Sequence, residues 1–211
     1  LPDVKENAHQ HEAKVPVWPV LRQPAIYWFF ISLFFHVLAH ISIYVYLSLY
    51  LDELGYSKSW IGLMWAVSVV VEIAWFYTQG RWLPRWPLPT WLVICALAMV
   101  VRMGITAAGG GVIVLAVLAQ TLHGLSFAAH HTVCISLLSL HFPGRLRGRG
   151  QALFTVIGYG ITGVLGGFAG GWISSKIGLS AVYWASSAIA VIAMLAAIKA
   201  RKYLLASAQP G

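Results

Sequence analysis

Long apolar runs, separated by short polar or glycine- and proline-containing breaks, make up most of the chain. A bilayer core about 30 Å thick is crossed by about 20 apolar helical residues. Six stretches are long enough: residues 27–51, 60–79, 89–107, 112–140, 151–173 and 181–198. Between them lie DELGYSKS, GRWLPRWPL, AAGGG, HFPGRLRGRG and SSKIGLS, whose glycines and prolines end helices for dihedral reasons. The pattern predicts an all-α integral membrane fold. A polar stretch at 1–24 leads into a six-helix transmembrane bundle at 25–203, and a tail follows at 204–211.

Composition agrees. The 211 residues are 59% hydrophobic and 9% charged, with a mean hydropathy of +0.76, whereas a soluble domain is about one quarter charged. The net charge of +8 raises the question of a nucleic-acid partner, and the positions of the basic residues answer it. Lys5, Lys14 and Arg22 precede the first span, and Arg81 and Arg85 follow the second. Arg145, Arg147 and Arg149 follow the fourth, and Lys199, Arg201 and Lys202 follow the sixth. The opposite side holds only Lys58 and Lys176, and Arg102 lies within the third span. Cytoplasmic loops collect Lys and Arg, so both ends of the chain are expected in the cytoplasm and no nucleic-acid partner is expected. Cys95 and Cys134 sit in apolar stretches and read as small buried residues. The opening LPDVKENAHQHEAK has no signal-peptide character and no initial Met, which leads us to expect part of a longer protein.

The fifth span contains GYGITGVLGGFAGG, in which Gly163, Gly167 and Gly171 are spaced by four, as are Gly166 and Gly170. Two overlapping small-residue faces let helix backbones approach closely. They serve tight packing or a surface that slides during conformational change.

Ionisable groups within spans are costly and count as functional candidates. They are Glu72, Arg102, His36, His40, His123, His130 and His131. At 1.5 Å per residue, Glu72 and His123 lie about 18 Å from one face, and His40 and Arg102 about 20 Å from the other. Four side chains on four helices thus reach one level near the midplane. His123 and His130, seven apart, share a face with Gln120 and Phe127, and His36 stacks with His40 at i, i+4. Three readings compete. In the first, Glu72 and Arg102 form a buried ion pair and the histidines bond locally, a scaffold with no chemistry. In the second, the HxxxH of His36–His40 and the His130–His131 pair serve a six-span membrane metalloenzyme or haem protein. In the third, the cluster is the midplane site of a proton-coupled secondary transporter. There a carboxyl exchanges a proton, histidines relay it, and an arginine receives a carboxylate.

Residues 47–73 (LSLYLDELGYSKSWIGLMWAVSVVVEI), 120–131 (QTLHGLSFAAHH) and 147–154 (RGRGQALF) resemble the phenylpropionic-acid transporter-like branch of the major facilitator superfamily, related to lactose permease and nucleoside/proton symporters. The resemblance covers essentially the whole chain, with 1–24 matching the central cytoplasmic loop and the rest the C-terminal six-helix half. Gly80, Arg81 and Arg85 are similar to part of that superfamily's loop motif, without its Asp. TLH with His123, MVVRMG with Arg102, and Glu72 resemble positions of the lactose permease site, while Ser126 stands where the permease has its coupling glutamate. The resemblance implies alternating access between two halves, with small aromatic carboxylates as the solute class. It also implies a transporter and not an enzyme, with no cofactor and no metal expected. The expected site has Arg102, His123, Gln120 and His40 binding solute, and Glu72, His123 and His130 handling the proton. The expected partners are solute and proton, the lipid of a bacterial inner membrane, and an N-terminal six-helix half.

Overall fold

The computed structural model describes residues 16–207. A four-residue helical turn, Trp18–Leu21, precedes six helices long and apolar enough to cross a membrane: α1 (Pro24–Glu53), α2 (Lys58–Arg85), α3 (Leu88–Gly109), α4 (Ile113–His141), α5 (Gly144–Lys176) and α6 (Leu179–Ala206). All but α4, which is shifted by one residue, outrun the apolar stretches that predict them, because backbone hydrogen bonding continues past the lipid core into polar ends such as Glu53, Arg85 and Lys176. The stretch taken as central loop therefore carries a helical turn, and its first fifteen residues lie outside the described ones. The helix of the last span continues past 203 to Ala206, with 208–211 outside the description.

Local chemistry sets the breaks. Pro24 opens α1, where a missing N–H costs nothing. The Ser57 side chain accepts from the Trp60 amide to cap α2. Between α5 and α6, Gly178 adopts φ 112° and ψ 166°, a conformation essentially closed to other residues.

Helix α6 is the hub, packed along both α1 and α3. Its buried face is built from Ala190, Ala193, Ala196, Ala197 and Ala200, small enough for close backbone approach. Without water, hydroxyls find backbone carbonyls on neighbouring helices: Ser32 donates to Ala193 at 3.1 Å, Ser187 to Val100 at 3.1 Å and Ser180 to Ala107 at 3.1 Å. Helix α5 lies beside α1, and α4 lies between α2 and α3. The two glycine faces of α5 have different roles. A Cβ on Gly166 would come within 2.8 Å of Ile41, and one on Gly170 within 2.4 Å of Tyr46, whereas Gly163 and Gly167 have nothing within 4 Å. Gly166 and Gly170 form the tight α1 seam; on the other face Gly163 and Gly167 have room for a Cβ, and one on Gly171 would meet Tyr46 Oη at an ordinary 3.5 Å.

The buried apolar side chains form two separate clusters. One gathers Phe29, Leu33, Leu92, Phe142 and Leu204 near the two ends of the chain. The other gathers Leu47, Tyr50, Met64, Met103 and Tyr183 at the opposite side. The intramembrane polar residues lie between them.

Candidate functional site

The layer between the two cores is organised by Arg102 of α3, whose side chain is 0% exposed. Its Nη2 donates to Gln120 Oε1 at 3.1 Å, and its Nη1 to Ser126 Oγ at 3.1 Å and His123 Nδ1 at 2.9 Å. Arginine cannot accept, so His123 Nδ1 is the acceptor and the ring proton sits on Nε2. That Nε2 meets Glu72 Oε2 of α2 at 3.3 Å. An arginine, a histidine and a carboxylate from three helices thus form one chain. Ser68, one turn from Glu72 on α2, donates to the same Gln120 Oε1 at 3.0 Å.

Close approach of α2 and α4 makes this possible. Gly124, next to His123, leaves room for the backbone at Val71, next to Glu72, where a Cβ would lie 3.4 Å from the Val71 carbonyl. Residues Gly124–Ala129 form a π-helical turn inside α4, an i→i+5 geometry common at functional sites. Within it, Ser126 gives its hydroxyl to Arg102 and its carbonyl to His36 Nε2, the latter at 2.7 Å.

The histidines form two tiers between α1 and α4. In one, His40 lies 5.5 Å from His123 and 5.2 Å from Phe127, centroid to centroid. In the other, His36 stacks on His130 at 3.6 Å with the rings 7° from parallel, and His130 contacts Cys134 Sγ at 3.5 Å. Neither nitrogen of the buried His40 ring has a hydrogen-bond partner among the described residues, which for a polar group removed from water costs free energy. Among the described residues, no group of three or more His, Cys, Asp or Glu converges as metal ligands would.

Where Arg102 is sealed, Glu72 is open, with 28% of its side chain exposed. The exposed Tyr44 extends the His36, His40 series by another four residues, packing at 4.8 Å from His40 and 6.5 Å from Trp65. Trp65 is anchored by its indole N–H to Ser48 at 3.0 Å. Tyr44, Trp65 and Phe127 form an aromatic wall beside a carboxylate. Sequence reasoning missed Tyr44, Trp65 and Ser68, although Tyr44 sits at i+4 from His40, and Ser68 and Trp65 at i−4 and i−7 from Glu72. The site brings together Arg102, His123, Gln120, Glu72 and His40. His130 is reached only through the second tier. His131 makes no bond to the Arg102 chain among the described residues; its ring lies 6.3 Å from Phe127 and 5.6 Å from Phe154. Glu72 and Arg102 share no direct contact, because His123 intervenes.

The sequence carries the same assignment. The profile of the MFS_1 like family matches residues 2–185. The chain belongs to this major facilitator family. The six candidate spans are consistent with one half of a major facilitator fold, and the chain is accordingly a multi-pass membrane protein. A curated relative, the probable 3-phenylpropionic acid transporter of Escherichia coli (strain K12), is 28% identical over 156 residues. That alignment covers 74% of this chain and 40% of the relative, so the chain spans well under half of the relative's length.

Proposed function

We propose that the chain forms one six-helix half of a proton-coupled transporter that carries a small organic anion, such as an aromatic carboxylate, by alternating access. The solute sits near midplane between this half and an N-terminal half of the same protein, in a bacterial inner membrane with both ends of the chain cytoplasmic. The carrying observation is the charge balance of the buried cluster. Glu72 is the only acidic residue away from the helix ends, Asp52 and Glu53 lying at the last turn of α1, and it compensates Arg102 through His123. Protonating Glu72 leaves the buried guanidinium unbalanced, so the site draws an anion. Deprotonation restores the balance and expels it. Proton and anion therefore bind together and leave together.

Roles follow from position. Glu72 exchanges the proton because it alone of the chain is open. Arg102 acts on the anion through its charge, its terminal nitrogens being held by Gln120, His123 and Ser126. His40, whose ring nitrogens are unpartnered among the described residues, and His123, held with Gln120 by Arg102, orient the carboxylate. His130 relays protons towards the cytoplasmic end. Tyr44, Trp65 and Phe127 receive the aromatic ring, consistent with the solute named for the Escherichia coli relative.

The test is Glu72→Gln in the full-length protein. Counterflow exchange of labelled phenylpropionate should persist, while uphill accumulation driven by a proton gradient is lost. Accumulation at the wild-type level would remove Glu72 from coupling, and loss of exchange as well would assign it to solute binding instead.

A further inference from the structure

On the side of α1 away from the histidines lies a second feature that the transport reading leaves unused. Tyr27, Phe30, Ile31, Phe34 and Phe35 follow i, i+3, i+4, i+7 and i+8, one continuous apolar stripe. At about 100° per residue the stripe points roughly opposite to His36 and His40. With Trp18, Leu21, Arg22 and Ile157 it encloses a groove of about 580 Å³. A second groove of about 510 Å³ begins on the other flank of Trp18 and runs along α5 past Arg149, Ala152, Leu153 and Val156. The Trp18–Leu21 turn thus stands as a wedge between two apolar grooves, with Arg22 bordering one and Arg149 the other. The Arg22 guanidinium lies 5.1 Å above the Trp18 ring, at an exposed position.

Two apolar troughs that meet at a tryptophan, each with a guanidinium, match a two-chain amphiphile with an anionic headgroup. The geometry points to a binding site for an anionic phospholipid of the cytoplasmic leaflet. One acyl chain lies in each groove and the phosphate lies at Arg22 beside Trp18. Depth agrees, since the stripe begins about 5 Å and ends about 17 Å into α1, the span of upper acyl chain below a headgroup. Charge agrees as well, because this end of the bundle collects the chain's Lys and Arg, and basic residues at a membrane surface favour anionic lipid. The site depends on this end of α1 being cytoplasmic and not on what the protein transports.

The experiment is native mass spectrometry of the full-length protein in detergent, titrated separately with phosphatidylglycerol and phosphatidylcholine. Wild type should retain phosphatidylglycerol more tightly than phosphatidylcholine. Arg22→Gln should weaken phosphatidylglycerol about fivefold, the weight of one basic residue near an anionic surface, and leave phosphatidylcholine unchanged. Ile31→Trp, which fills the α1 groove, should weaken both lipids, while Lys58→Gln at the opposite end of the bundle should change neither. Unaltered phosphatidylglycerol binding by Arg22→Gln, no effect of Ile31→Trp, or equal retention of the two lipids by wild type would each overturn the assignment.

Discussion

Gly170→Ala adds one methyl group at the α1–α5 seam, and its cost can be worked from the packing. The new Cβ would lie 2.4 Å from Tyr46 Cε2 and 2.9 Å from Cζ, so the ring must retreat by about 1 Å to reach ordinary contact. Tyr46 is only 6% exposed, and its hydroxyl donates to the Gly167 carbonyl at 2.5 Å on the same seam. Overpacking of this kind costs about 1–3 kcal/mol, and disturbing the hydrogen bond adds about 1 kcal/mol. Gly163→Ala, two turns earlier on the open face, meets nothing within 4 Å and gains up to about 1 kcal/mol of helix propensity. Gly170→Ala shares that gain, so the two variants differ by about 2–4 kcal/mol. For a chain of this size that difference is a gap of about 4–16 °C in Tm, Gly170→Ala melting lower. Cys95 and Cys134 are both free and buried, so a thiol-reactive dye added during thermal unfolding in detergent reads the transition directly. A Gly170→Ala protein melting at or above Gly163→Ala would refute the assignment of the two glycine faces.

Other outcomes follow from the same structure. Gly178→Ala forces a side chain into a glycine-only conformation and should cost about 1–3 kcal/mol, read as a lowered Tm. Lys58→Met breaks the 2.6 Å Asp52–Lys58 pair, but both partners are largely exposed, so Tm should move by less than about 4 °C. In the folded protein Cys95 and Cys134 should resist maleimide, whereas rapid labelling of either below the transition would contradict their burial.

Much of this protein was written in the linear pattern. Six apolar runs gave six spans, because a helix is the only open-chain element that satisfies its own backbone hydrogen bonds in lipid. Counting residues from the ends of those spans also placed Glu72, Arg102, His40 and His123 at one depth, since helical rise is constant. The interleaved glycines of α5 were visible as two faces. Periodicity could not say which face would meet α1, and the bulk of Ile41 and Tyr46 on a distant segment decided that. Partner choice was equally hidden. Glu72 and Arg102 invite a direct pair, yet the approach of α2 to α4 at Gly124 inserts His123 between them. The π turn at Gly124–Ala129 has no compositional mark, and it sets Ser126 to serve Arg102 and His36 at once. The stacking of His36 on His130, and the splitting of the apolar core around the polar layer, likewise depend on which helices lie side by side. The sequence alone determined what each helix carries and how deep, because those are properties of one helix in a slab. Only the tertiary structure decided who touches whom, because lateral packing joins residues far apart in the chain, as in the Ser32–Ala193 hydrogen bond across 161 positions.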